Sequence, residues 1–203
     1  MNILHISDFH YCEENLISER LVQSVIKAVK DEGLIIDCIL FTGDLVYYGN
    51  LSNDFHKAKT VLFDALADSL CVDSNNIIIC PGNHDINRDK VYPTADNSFK
   101  TVYNNNQAIN KLYSEKNEAF QDSLLPSANY LSFEKSFYSS SYNDIIKELY
   151  SIHFRTIQGL DYAFVCLNSA WISALDKKGS NDRGNLLFPP DALKEAITII
   201  SVH

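Results

Sequence analysis

The sequence predicts an α/β fold built on a parallel sheet. Three observations carry this. Short apolar runs and helical stripes alternate through roughly the first 80 residues, the runs are apolar at nearly every position, and a polar cluster follows each one. Asn2–Ile6 is the first strand. Ser18–Glu32 is a helix, with Leu21, Val22, Val25, Ile26 and Val29 forming its stripe, Ser18 as its cap and Gly33 as its stop. Ile35–Phe41 is the second strand, broken only by Asp37. Phe55, Ala58, Val61, Leu62, Ala65, Leu66 and Leu70 mark a second helix, and Ile77–Cys80 a third strand closed by Pro81-Gly82. A β-α-β-α-β order implies parallel strands joined by right-handed crossovers. Strands apolar on both sides imply that helices or a second sheet cover both faces.

Composition narrows the class. The 203 residues fit one domain, 46% hydrophobic and 21% charged, which excludes a disordered chain or a fibre. Seventeen Lys and Arg against 26 Asp and Glu give a net charge of −9, the wrong sign for coating nucleic acid by charge. No run reaches the ~20 apolar residues of a membrane helix. The start lacks a basic stretch and meets Asp8 too early for a signal peptide. Five cysteines without a Cys-x-x-Cys spacing support neither a zinc knuckle nor a disulfide framework, so a reducing cytoplasm is expected.

The segment 87–157 is rich in Asn, Ser and Tyr and is expected to be a helical insertion or a cap over the substrate, with helices over Asn106–Gln121 and Asn143–His153. Strand character returns at Asp161–Leu167, a helix is expected over Asp191–Ile197 behind Pro190, and a last strand over Ile199–Val202. A chain that stops at His203, directly behind such a strand, is expected to be truncated.

Chemistry-bearing residues gather behind the strands: Asp8-Phe9-His10, Gly43-Asp44 and Gly82-Asn83-His84-Asp85. Ligands of open α/β sheets bind beyond the carboxyl ends of the strands, so parallel strands bring these clusters to one rim. Asp8 and His10, two apart, project to one side of an extended chain. A carboxylate and an imidazole make half a shell for Mn, Fe or Zn. Asp44 can bridge two cations, Asn83 offers a carbonyl oxygen and His203 another imidazole. Two of the chain's seven glycines stand beside these groups, where bulk would obstruct them.

Together, Asp8-x-His10, Gly43-Asp44 and Gly82-Asn83-His84-Asp85 resemble the calcineurin-like metallophosphoesterase superfamily across nearly the whole chain, segment 87–157 excepted. The resemblance implies an αββα sandwich of mixed sheets with flanking helices, C-terminally incomplete here. It also implies a dinuclear centre, Mn2+ first, with Fe or Zn as alternatives. Asp8, His10 and Asp44 would hold one metal, and Asp44, Asn83 and His203 the other. His84 would act on the phosphoryl group or protonate the leaving oxygen, and Asp85 would support the loop or His84. The implied reaction is phosphoester hydrolysis by a bridging hydroxide, with a nucleotide-type phosphodiester as substrate. Arg88 is a candidate for binding the phosphate.

Two departures stand out. The family's final Gly-His-x-His motif is absent, which leaves both shells incomplete and suggests a further C-terminal region or partner domain. Tyr47 occupies the place where some family phosphatases carry a second aspartate, which disfavours the protein-phosphatase branch. Leu167-Asn168-Ser169 and Gly184-x-Leu186 look more like the bacterial phosphodiesterases. Two alternatives remain: a nuclease of the same superfamily, which the charge disfavours, and a non-catalytic interaction module. His5 is expected in the core or behind the ligands, His56 and His153 on helices, and Trp171 in packing rather than base stacking.

Overall fold

A computed structural model describes residues 1–13, 17–90, 102–139, 144–173 and 186–203. Strands β1 (Ile3–Ile6), β2 (Cys38–Thr42) and β3 (Ile77–Cys80) form a parallel sheet in that order. Helix α1 (Ile17–Asp31) connects the first pair. Helices α2 (Ser52–Ala58) and α3 (Ala65–Leu70), joined by a π-helical turn, connect the second. The expected β-α-β-α-β unit is therefore present. Gly33, at φ +64°, ends α1 as expected, while Ser18 lies buried inside the first turn rather than at the cap.

Helices α4 (Asn106–Glu115), α5 (Glu118–Leu124) and α6 (Ala128–Phe137) follow. Strands β4 (Asp144–Ile146), β5 (Tyr150–Ile157) and β6 (Leu160–Leu167) then form an antiparallel sheet, and α7 (Pro190–Ser201) follows them. The period of two decides the layering. In β2 and β3, Ile39, Phe41, Ile77 and Ile79 pack with residues of α1, α2, α3 and α6. Their neighbours Cys38, Leu40, Ile78 and Cys80 pack with Ile157, Tyr162, Phe164 and Cys166 of the second sheet. The outer face of that sheet, through Tyr150, Ile152, Val165 and Leu167, packs with residues of α4, α5 and α7. The result is a helix–sheet–sheet–helix sandwich, which explains strands apolar on both sides.

Three expectations are corrected. Asn143–His153 is not helical: the described residues from Asp144 onward form β4 and the start of β5. The alternation there was disguised because Ser151, His153 and Arg155 face inward yet are buried. They are paid for by partners: Arg155 donates to Asp144 at 2.6 and 3.0 Å and to the Asn75 carbonyl, Ser151 donates to Glu134 at 2.8 Å, and His153 Nε2 pairs with Ser151 Oγ at 2.9 Å. Asn106–Gln121 is two helices, parted where Lys116 turns left-handed and Asn117 caps α5. Ile199–Val202 is no strand. Ile199 and Ile200 belong to α7 and join Ala192 and Ala196 on one buried stripe. Ser140 to Asn143 and Gly184 lie outside the described residues.

The edge of β3 is closed by a side chain. Tyr138, at the end of α6, accepts from the Ile79 amide at 2.9 Å and donates to the Ile77 carbonyl at 3.2 Å, which satisfies groups a strand edge leaves bare.

Candidate metal centre

The three polar clusters converge at the carboxyl end of the parallel sheet. The first two loops continue to pair beyond their strands: the Asp8 amide donates to the Gly43 carbonyl at 3.0 Å, and that of His10 to the Asp44 carbonyl at 2.9 Å. The backbone is left-handed at Asp8 (φ +58°), His10 (+48°) and Asp44 (+61°), with Gly43 at +115°. Left-handed non-glycine residues cost of the order of 1–3 kcal/mol each and persist where surroundings over-determine them. Asp8 and His10 therefore do meet, but through this kink and not through an extended chain.

His10 Nε2 lies 3.8 Å from Asp8 Oδ1 and 3.9 Å from Asp44 Oδ2. These separations are too long for hydrogen bonds and suit donors that share one cation, each about 2.0–2.2 Å from it. His10 Nδ1 is buried without a hydrogen-bond partner. Asp44 Oδ1 accepts from the His84 amide at 2.9 Å. Among the described residues, His10, Asp44 and His84 offer donor atoms all within 4.8 Å of one another. This set of carboxylate oxygens and imidazole nitrogens fits a divalent cation.

Asp85 is fully buried. Its carboxylate accepts from the amides of Gly82 at 2.8 Å, Asp44 at 2.9 Å and Val46 at 3.0 Å. One side chain thus ties the second cluster to the third. Burial pushes its pKa up to about 7, against the three amide bonds. The glycines are sterically required: a Cβ on Gly43 would stand 2.8 Å from the Gly82 Cα, and one on Gly82 would collide with the Asp44 carboxylate.

Two clefts adjoin the cluster. One, of about 250 Å3, is lined by Asp8, Asp44 and Asn83 together with Ser169, Ala170 and Leu186 from beyond β6. The other, of about 140 Å3, is lined by Tyr47, Tyr48, Asn50, His84, Arg88 and Asp89. His84 Nδ1 lies 2.9 Å from the Tyr47 carbonyl. A carbonyl can only accept, so Nδ1 carries the proton of this contact.

Asp8, His10, Asp44, Asn83 and His84 are therefore brought to one rim, with Arg88 beside them. His203 is not. It follows α7, and its ring packs on Phe154 at 4.2 Å, a residue of the outer face of the second sheet. His5 is exposed and pairs with Thr42 Oγ1 at 2.7 Å. His56 packs against Phe133, and Trp171 is buried with Nε1 on the Leu187 carbonyl at 3.0 Å. Sequence reasoning missed the Tyr47 carbonyl, and it marked Ser169 and Leu186 only as features of the phosphodiesterase branch, not as a wall of the cleft with Ala170. A backbone oxygen leaves no trace in residue identity, and the wall comes from a remote part of the chain.

A two-sheet sandwich with carboxylates and imidazoles at the ends of its parallel strands defines a phosphoesterase-type metal-site protein. The family model for calcineurin-like phosphoesterases matches residues 1–195, and the chain belongs to that family. It is 25% identical over 200 residues to the uncharacterized metallophosphoesterase-like protein YydB of Bacillus subtilis (strain 168), a match covering 97% of this chain and 38% of YydB. The chain thus spans well under half the length of that relative. Among the described residues, no helix is long and apolar enough to cross a membrane.

Proposed function

We propose that this chain hydrolyses phosphoesters, in particular nucleotide-type phosphodiesters, with two divalent cations, Mn2+ first. The observation that carries the reading is the Asp44 carboxylate, which faces His10 with one oxygen and the His84 amide with the other. Asp8, His10 and Asp44 would hold one cation, and Asp44 and Asn83 would contribute to a second. Bound cations would neutralise the anionic ester and lower the pKa of a water. The remaining work falls to the chain. Asp85 and the two glycines hold the loops so that Asp44 keeps its orientation. The Tyr47 carbonyl fixes the His84 ring, so that Nε2, once protonated, can donate to a phosphoryl or leaving-group oxygen. Arg88, in the neighbouring cleft, is suited to an anionic oxygen. Five unbridged cysteines support a reducing compartment such as the cytoplasm.

The test is turnover of bis-p-nitrophenyl phosphate by Mn2+-loaded protein. Asp44→Asn and His84→Ala should each lower it, His84→Ala by about 10²–10⁴-fold. Unchanged rates in both variants, or a folded, metal-loaded protein without turnover, overturn the reading. Hydrolysis confined to single-stranded DNA would favour a nuclease, against the net charge of −9.

A further inference from the structure

The smaller cleft beside His84 has aromatic walls. Tyr47 and Tyr48 are 43% and 62% exposed. Their ring centroids stand 4.5 Å apart with planes at 81°, which makes an open corner. The Tyr47 ring is 5.6 Å from that of His84 and 6.0 Å from that of His10. The backbone beneath the rings is tethered. The Tyr47 amide donates to the Tyr11 carbonyl at 3.0 Å, and Asn129 Nδ2 donates to the Gly49 and Asn50 carbonyls at 2.9 and 3.1 Å. Two aromatic rings are therefore held toward water on a fixed frame, at the edge of the proposed reaction centre. Across the cleft, Asn50 Nδ2 meets Asp89 Oδ2 at 3.2 Å.

We propose that Tyr47 and Tyr48 form the specificity site for the organic arm of the substrate, and that this arm carries a nucleobase. The inference rests on the phosphoesterase reading and adds what lies beyond the phosphate. A flat ring stacked on one tyrosine meets the other edge-on, an arrangement aromatic pairs favour. Stacking takes any base, because every base has a π face. Asn50 and Asp89, paired with each other at 3.2 Å, retain donor and acceptor positions beyond that bond that suit the edge of a base. At about 140 Å3 the cleft is below the ~300 Å3 of a drug-sized site, so it takes one ring system.

The experiment compares 2′,3′-cyclic AMP with methyl riboside 2′,3′-cyclic phosphate, which share a five-membered cyclic diester on a ribose and differ in the base. Hydrolysis by Mn2+-loaded protein is followed through the monoester products. The wild type should favour the nucleotide in kcat/KM by about ten-fold or more. Tyr48→Ala and Tyr47→Ala should erase most of that ratio, chiefly through KM, while Tyr48→Phe should keep it. A wild-type ratio near one, or a ratio untouched in both alanine variants, overturns the inference and leaves the phosphoesterase reading standing. If neither ester is hydrolysed, turnover of bis-p-nitrophenyl phosphate decides the phosphoesterase reading, and calorimetry with Mn2+ decides the tyrosine site. AMP binding about ten-fold tighter than ribose 5-phosphate in the wild type, but not in Tyr48→Ala, supports it; equal affinities or no binding overturn it.

Discussion

Three backbone amides converge on the Asp85 carboxylate, and the orientation of Asp44 depends on that convergence. Both oxygens accept, one from Gly82 and Asp44 and the other from Val46, so the ionised form suits these bonds best. In Asp85→Asn one oxygen becomes an NH2 group aimed at an amide hydrogen. The variant should lose about 2–4 kcal/mol in urea unfolding and bind Mn2+ about 10–100-fold more weakly. A variant equal to the wild type in both measurements would show that the loops are held by other contacts. Asp85 was legible as a support for the loop or for His84 through the family resemblance. The left-handed backbone of Asp8, His10 and Asp44 was not, because two of the three are acidic residues in ordinary loop sequence and nothing local demands the conformation.

At the level of the strand, β5 turns a row of polar side chains into the space between the sheets. Burial raises the Glu134 pKa to about 7 against its bond from Ser151. Burial also lowers that of His153, against the pull of Asp144. For Asp144, burial would raise the pKa, but His153 and Arg155 outweigh it and hold the group at about 2. The signs differ. The Asp144 contribution is present above the unfolded value of 3.8 and is lost as pH falls toward 2. His153, whose folded pKa lies below its unfolded value of 6.5, loses stability as pH drops below that unfolded value. Glu134 contributes fully below 4.5 and loses stability as pH rises through 7. Glu134→Gln should therefore flatten the stability curve between pH 5 and 7.5, removing a fall of at most about 3 kcal/mol. Urea midpoints across that range check it; parallel curves for the two proteins would refute it. The helical reading of Asn143–His153 failed on this same row. Polar residues at alternate positions read as an exposed face unless their buried partners, here from α6 and β4, are already known.

Across the whole molecule, the proposed metal site joins loops behind all three parallel strands, so ligand binding should stabilise the fold itself. Mn2+ at 100 times its dissociation constant adds about 2.7 kcal/mol. For a chain of 203 residues this should raise Tm by roughly 5–10 °C. Asp44→Asn should lose most of that shift, and a wild-type Tm indifferent to Mn2+ would argue against a bound cation. The same scale accounts for His203. The apolar run before it was read as a strand leading to the rim, but α7 carries those residues on a stripe against the second sheet and leaves the ring on Phe154.

Residue order was sufficient for the parallel unit and for five of the rim residues. Strand–helix alternation and polar groups at strand ends are local patterns, and parallel pairing makes their convergence unavoidable. Packing in three dimensions alone decided the polar row between the sheets, the fate of the last apolar run, the aromatic corner beside His84 and the carbonyl that orients its ring. Each depends on which distant surface covers a side chain or which backbone atom comes near it, and neither is encoded in the spacing of residues along the chain.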